Sequence, residues 1–480
     1  MARDGWAPLL DDLAVRHEAV LAMGGPDRMA QLAERGRLDV RSRIDLLVDP
    51  DSFVEFGALV GSIQRGALPP APADAFVTGH ATIEGRPVLV GAADPSVMGG
   101  SVGLGTLAKR RRLVALAELT GRPVVLLLDG PGSRTRHPND SAPWTGDELR
   151  GLARLAGRVP VVAAILGPVA GHDALLAAAA DHIVMTRRAA VFGAGPPLVH
   201  AATGVEVGAA ELGGPSVHEG RLVDEVADDE PGALGAVRAY VVARTAVPDA
   251  VAPSQGATSV CAVLPADPTV TYDVDALLGA IADPGTWTRD VGPAAALVTG
   301  TTAVAGRNLV VVAGDPTHGD GRIDAPGARA AVERLRTAPD LPALMLIDSP
   351  GPAIGPEAEA AGTGRALAEL LRSVATRSAP SIMVIVRRAH GDVPTILGLG
   401  PGSSVLTALA LPGARLGPLP AETASEAAGR VADVAALVEH TEFGGAVDAA
   451  EQLVVDRVID PDDLRPEIAR AMRLLADVRG

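Results

Sequence analysis

The chain has 480 residues, 48% of them apolar and 21% charged, a mixture able to bury a large core over about two to four domains. A formal net charge of −16, with Lys109 the only lysine, argues against nucleic-acid binding and polybasic attachment to a membrane surface. The lone Cys261 excludes an intramolecular disulfide framework and a cysteine-rich zinc module. No run of about 18 uncharged apolar residues is present to span a bilayer, so a cytoplasmic location is expected.

In chain order, the first 45 residues or so read as helical through LLDDLAVRHEAVLAM and DRMAQLAERGRL. Runs rich in β-branched residues follow: ATIEGRPVLVGAA, PVVLLLDG, PVVAAILG and DHIVMTRRAAVFG, separated by the helical stretches TLAKRRRLVALAELTG and HDALLAAAADH. Strands nearly continuous in Val, Ile and Leu, alternating with helices, predict an α/β domain with a buried, largely parallel sheet. A first domain is expected over 1–245. A linker over 246–269 is marked by Pro, Ala and Ser without periodicity. A second domain, over 270–480, repeats the order through NLVVVAGD, ALMLIDSPG and SIMVIVRRAHG and closes on the helical RPEIARAMRLLADVRG.

The second domain is a copy of the first. ATIEGRPVLVGAADP, ending at Asp94-Pro95, returns as TAVAGRNLVVVAGDP, ending at Asp315-Pro316. GRPVVLLLDGPG, with Asp129, is answered by LPALMLIDSPG, with Asp348. RVPVVAAILGPVAG, with Gly171, is answered by SAPSIMVIVRRAHG, with Gly391, and the entry segments IDLLVDPDSF and VDALLGAIADPGTW match as well. Four elements recurring in one order make a duplicated domain rather than a solenoid.

Three loops follow strands in the first copy. Gly167-Pro168-Val169-Ala170-Gly171-His172 leads from a strand into an Ala-rich helix, where free first-turn N–H groups are able to stabilise an enolate or thioester oxyanion. The bland alternative is a tight turn that needs glycine for sterics. Met98-Gly99-Gly100-Ser101-Val102-Gly103, before the helix carrying Lys109 to Arg112, is a second place where backbone donors meet a ligand, or else the start of a solvated basic face. Asp129-Gly130-Pro131-Gly132-Ser133-Arg134 ends a strand at the ligand-bearing edge of such a sheet and by itself signals only a turn. No serine sits in a nucleophile elbow, and His137, His172, His182, His200 and His218 show no metal-ligand spacing. His182 is expected at a helix end, and His172 at the mouth of the oxyanion site.

The order of segments resembles the carboxyltransferase β-type subunit of biotin-dependent acyl-CoA carboxylases, such as the propionyl-CoA and methylcrotonyl-CoA enzymes. The carrying segments are GRLDVRSRIDLLVDPDSFVEF, VTGHATIEGRPVLV with MGGSVG, GPVAGHDA, ELGGPSVHEGRLVDEVADDE, YDVDALLGAIADPGTW and VVDRVIDPDDLRPEI. The resemblance implies tandem crotonase-like (ClpP/crotonase) α/β domains, with acyl-CoA bound mainly by the first and carboxybiotin by the second. It further implies a homo-oligomer, or a hetero-oligomer with a paralogous subunit. The implied activity moves a carboxyl group from carboxybiotin to the α-carbon of an acyl-CoA. The ureido base takes the α-proton, and the enolate attacks released carbon dioxide. Because Lys109 lies on a basic helix, biotin is expected on a separate carrier with its own biotin carboxylase; no metal, nucleic acid or membrane is involved. The implied catalytic positions are Ala170, Gly171, His172, Gly391 and Asp392, and the CoA-binding ones Gly99, Gly100, Ser101, Lys109, Gly132 and Arg134. The sequence departs where the family's second-domain A-x-G-G-A-Y reads Ala389-His390-Gly391-Asp392-Val393-Pro394, and where G-G-A reads Gly171-His172-Asp173. These departures leave two alternatives beside the carboxyltransferase: a biotin-independent malonyl-thioester decarboxylase or acyltransferase, and a non-catalytic subunit of a carboxylase complex.

Overall fold

The structure, a computed structural model, describes residues 3–61, 71–134, 146–245, 258–400, 404–418, 420 and 445–475. Two compact units emerge. The N-terminal unit comprises Arg16–Asp249 with Leu474–Gly480, and the C-terminal unit comprises Ala250–Arg473 with Met1–Val15. Residues 246–257 of the expected linker, and His137, lie outside the described residues. From residue 258 the segment is structured: helix Val260–Val263 buries Val260 and Cys261, and the Trp6 indole donates to the Leu264 carbonyl at 3.2 Å.

In the N-terminal unit the strands are β1 (Val54–Phe56), β2 (Phe76–Ile83), β3 (Arg86–Ala93), β4 (Val124–Gly130), β5 (Val161–Ala170), β6 (His182–Thr186), β7 (Ala190–Phe192) and β8 (Glu225–Ala227). Their order is β1-β2-β3-β4-β5-β6-β8, with β7 alongside the end of β5. The β1–β2 and β2–β3 pairs are antiparallel and every later pair is parallel. Every residue of β4 is buried, as its unbroken apolar run requires of a strand covered on both faces. One face is sealed by Val40, Ile44 and Leu47 of helix Val40–Leu47 with Leu234, Val237 and Val241 of helix Glu230–Arg244. Each such side chain contributes roughly 1.5–3 kcal/mol of burial.

The C-terminal unit repeats this plan with β9 (Thr288–Arg289), β10 (Leu297–Val304), β11 (Arg307–Gly314), β12 (Ala343–Ser349), β13 (Ser381–His390), β14 (Val405–Ala410), β15 (Arg415–Gly417) and β16 (Arg457–Val458). Its sheet, β9-β10-β11-β12-β13-β14-β16 with β15 alongside β13, has the same sense of pairing at every step. The two units are thus tandem crotonase-like α/β domains. Small polar devices recur with the strands. The two-residue β2–β3 turn places Glu84 and Gly85 at φ 49° and 77°, and the β10–β11 turn places Ala305 and Gly306 at 51° and 75°. Both amides of the first turn are capped by Asp49 at 2.8 Å, and both of the second by Asp283 at 3.0 and 2.7 Å. After β3 the Asp94 carboxylate accepts from the Ser96 amide at 2.9 Å, and after β11 Asp315 accepts from Thr317 at 2.9 Å.

Two expectations are corrected. DHIVMTRRAAVFG is two strands, because the turn after Thr186 moves β7 across to β5. His182 opens β6 rather than ending a helix, and its ring stacks on Tyr240 with centroids 4.6 Å apart.

Candidate active site

The three glycine-rich loops leave the carboxyl ends of β3, β4 and β5 and meet backbone to backbone. Gly100 has φ 74°, and a Cβ placed on it would lie 2.3 Å from the Asp129 carbonyl. A Cβ on Gly130 would lie 2.2 Å from the Gly100 carbonyl, and one on Gly132 would lie 2.5 Å from the Ala170 carbonyl and 3.5 Å from the His172 nitrogen. Only glycine permits these approaches. Two hydrogen bonds lock the first pair of loops, Val102 N–H to the Gly132 carbonyl and Arg134 N–H to the Val102 carbonyl, each 2.9 Å. Gly100, Ser101, Gly132, Arg134, Ala170, Gly171 and His172 are therefore gathered at one sheet edge, whereas Gly99 is exposed with nothing within 4 Å of its Cβ position.

Gly171, with φ 60°, turns the chain from β5 into helix His172–Ala178. Its own amide is spent on the Phe192 carbonyl of β7 at 3.1 Å. Among the described residues no hydrogen bond engages the amides of His172 or Asp173; Asp173 is fully buried, which leaves the amide of half-buried His172 as the donor that the loop presents. The C-terminal unit closes the same way, Gly391 N–H meeting the Gly417 carbonyl at 2.9 Å. There Asp392 is exposed ahead of the short helix Val393–Ile396, and Pro394 lacks a donor.

Two residues assigned to the CoA site face inward. Lys109 is fully buried, and its Nζ donates to the carbonyls of Ala73 at 2.6 Å and Gly57 at 3.2 Å. Burial lowers its ammonium to about 8, with Glu55 and Asp74 pulling the other way. Arg134, also buried, forms a 2.8 Å ion pair with Asp74 and holds the Ser101 hydroxyl and carbonyl at 3.1 and 3.0 Å. It is a clamp on the Gly100 loop. The run Lys109-Arg110 is thus no solvated face, since Arg110 pairs bidentately with the buried Asp173 at 2.6 and 3.1 Å and lies 4.6 Å from the Phe76 ring centroid.

Sequence reasoning also missed the charges beneath the loops. Asp129, 2% exposed at the end of β4, is paired with Arg37 and, at 2.9 Å, with Arg43, which also meets Glu230 at 2.7 Å. The Asp129 carboxylate fills the space over Gly167, where a Cβ would lie 2.2 Å from Oδ1. In the second copy Asp348 is paired at 2.8 Å with Arg387 and with Arg388, the residues that replace Gly167 and Pro168. Both clusters sit where the strand register slips, between Leu128 and Gly130 and between Ile347 and Ser349. A buried carboxylate is kept at each site, with its cations drawn from different places. His172 has a partner with no sequence signal: its Nε2 lies 2.6 Å from Oε1 of the buried Glu148. Burial pushes the Glu148 carboxyl up, but His172, the residue's own backbone amide and Arg110 together hold it below its ordinary value.

Among the described residues one cluster has the composition of a metal site, Cys261, Asp460 and Asp462, their ligand atoms within 4.8 Å of one another. Arg3 pairs with both aspartates at 2.5 Å, and burial, reinforced by Asp462 and Asp460, pushes the Cys261 thiol up to about 12.

A family model described as the carboxyl transferase domain matches residues 31–479. The chain is 30% identical to the methylmalonyl-CoA carboxyltransferase 12S subunit of Propionibacterium freudenreichii subsp. shermanii, over 98% of this chain and 94% of that protein. It is also 30% identical to the propionyl-CoA carboxylase beta chain of Roseobacter denitrificans, over 97% and 96%. Against the crystal structure of the P. aeruginosa geranyl-CoA carboxylase beta subunit the TM-score is 0.83, at 21% identity, over 99% of this chain and 94% of that one.

Proposed function

This chain belongs to the carboxyl transferase domain family, and from that premise we propose that it is an enzyme moving a carboxyl group between carboxybiotin and the α-carbon of an acyl-CoA. The observation that carries the reading is the family match over nearly the whole chain, together with the convergence of the β3, β4 and β5 loops on one sheet edge. The acyl thioester lies on the edge formed by the loops of Gly100, Gly132 and Ala170, whose close backbone packing fixes that edge. Its oxygen is held by the amide of His172. One such donor contributes about 2.7–4 kcal/mol to an enolate-like transition state. Carboxybiotin, borne on a separate carrier loaded by a biotin carboxylase, supplies the carbon dioxide and the base. The C-terminal unit keeps the frame for it, but Pro394 removes one donor and the Asp392 carboxylate adds negative charge beside the remaining amides.

The test is reconstitution with a biotin carboxylase, a biotinylated carrier, ATP, labelled bicarbonate and propionyl-CoA. Label should enter a malonyl-type thioester only when all components are present. The altered C-terminal loop favours one second reading, biotin-independent decarboxylation of a malonyl thioester in the N-terminal unit. Steady loss of malonyl-CoA to the protein alone would establish that reading, and strict dependence on the carrier would dismiss it.

A further inference from the structure

The His172–Glu148 pair lies outside the reaction just described, in which the base arrives with biotin, and it has no counterpart in the family's G-G-A segment, where His172 replaces a glycine. We propose that His172, oriented by Glu148, takes up and returns the α-proton of the acyl thioester, giving this chain an exchange of that proton with solvent that needs no biotin. The inference rests on the reading that the acyl thioester binds at the N-terminal unit's loops.

The geometry carries it. His172 immediately follows Gly171, so its side chain starts at the turn against which the Gly132 loop packs. Glu148, from helix Asp147–Leu155, is 1% exposed, and its Oε1 meets His172 Nε2 at 2.6 Å. Its other oxygen, Oε2, is buried and has no hydrogen-bond partner among the described residues. An ionised carboxylate accepts only, which places the ring proton of neutral His172 on Nε2 and leaves the lone pair on Nδ1. No hydrogen bond to Nδ1 is found among the described residues. The nearby charges are already matched, Arg110 by Asp173 and Arg111 by Asp147 at 3.5 Å. Protonation of the ring therefore turns the Glu148 contact into an ion pair.

In the step itself, the Nδ1 lone pair forms an N–H bond with the α-proton. The C–H electron pair becomes the enolate double bond, and the carbonyl π pair moves to the thioester oxygen. The imidazolium trades its Nδ1 proton with water and returns a solvent proton to the α-carbon, regenerating thioester and neutral imidazole. The net change is replacement of one α-hydrogen.

The full-length protein incubated with propionyl-CoA in D2O, without biotin or carrier, should incorporate deuterium at the α-carbon, read by mass spectrometry. His172→Gly should slow incorporation by a factor on the order of 10² or more, the usual worth of a positioned acid–base group. Free imidazole should restore part of the loss, which a merely structural histidine would not allow. Glu148→Gln should lower kcat for exchange while leaving KM unchanged. No incorporation above the protein-free background overturns the proposal, as does exchange by His172→Gly at the unsubstituted rate or a loss that imidazole does not relieve. Carboxyl transfer and propionyl-CoA binding without exchange would defeat this inference alone, whereas exchange without carboxyl transfer in the reconstituted system would defeat the carboxyltransferase reading alone.

Discussion

Position 172 permits the amide and the imidazole to be separated by two substitutions. Replacement of Gly171 itself is uninformative: its φ of 60° excludes proline, and its N–H already serves the Phe192 carbonyl. His172, by contrast, is the first residue of its helix, where proline fits without a kink. His172→Gly removes the imidazole and keeps the N–H, and His172→Pro removes both. The loss of the Glu148 contact is common to the two variants, so their ratio isolates the His172 amide. If that amide holds the thioester oxygen, carboxyl transfer by the proline variant should fall a further 10²–10³-fold below the glycine variant, corresponding to about 2.7–4 kcal/mol. The assay is label transfer in the reconstituted system, with propionyl-CoA binding followed by calorimetry to confirm a folded site. Equal rates in two folded variants would refute an oxyanion role for this loop.

Arg43→Met should destabilise the N-terminal unit by about 3–5 kcal/mol in urea melts, because among the described residues it leaves buried Glu230 with only the 3.9 Å ion pair to Arg37, which Asp129 must share. For Lys109 the folded value of about 8 lies below the ordinary 10.5, so its burial penalty is complete below pH 8 and relaxes as pH rises toward 10.5. The stability of the unsubstituted protein should therefore gain on that of Lys109→Met by up to roughly 3 kcal/mol across that window, and parallel pH curves would show the penalty to be absent. Asp392→Gly should leave stability within about 0.5 kcal/mol, since Asp392 is exposed and makes no capping bond, while raising the rate of transfer from carboxybiotin.

What the sequence revealed was what repeats and periodicity record. The apolar runs gave the strands, and the match of Asp49 with Asp283 extended to the same two-amide turn cap. The three loops were legible because close backbone contact demands glycine. Partners set by tertiary contact were not legible: Glu148 is 24 residues from His172, Arg37 is 92 from Asp129, and no local pattern joins either pair. The basic run misled for a related reason. Lys109 and Arg110 looked like surface charge, yet carbonyl oxygens and Asp173 wait inside for them. Gly171 was identified as a turn, but which of its neighbours keeps a free amide depended on where β7 returns.

The two arginine arrangements have a consequence for how each unit is made. Asp348 finds both cations on the adjacent strand, within 40 residues, and its neutralisation is a by-product of forming the sheet. Asp129 depends on Arg37 and Arg43, which precede β1, and Glu230, far downstream, shares Arg43. A chain synthesised from its amino end has those two arginines in hand before β4 exists. A fragment beginning after Leu47 would have to bury both carboxylates bare, so the amino-terminal segment is a folding requirement of the first unit, and the second unit has no equivalent debt to its own entry segment.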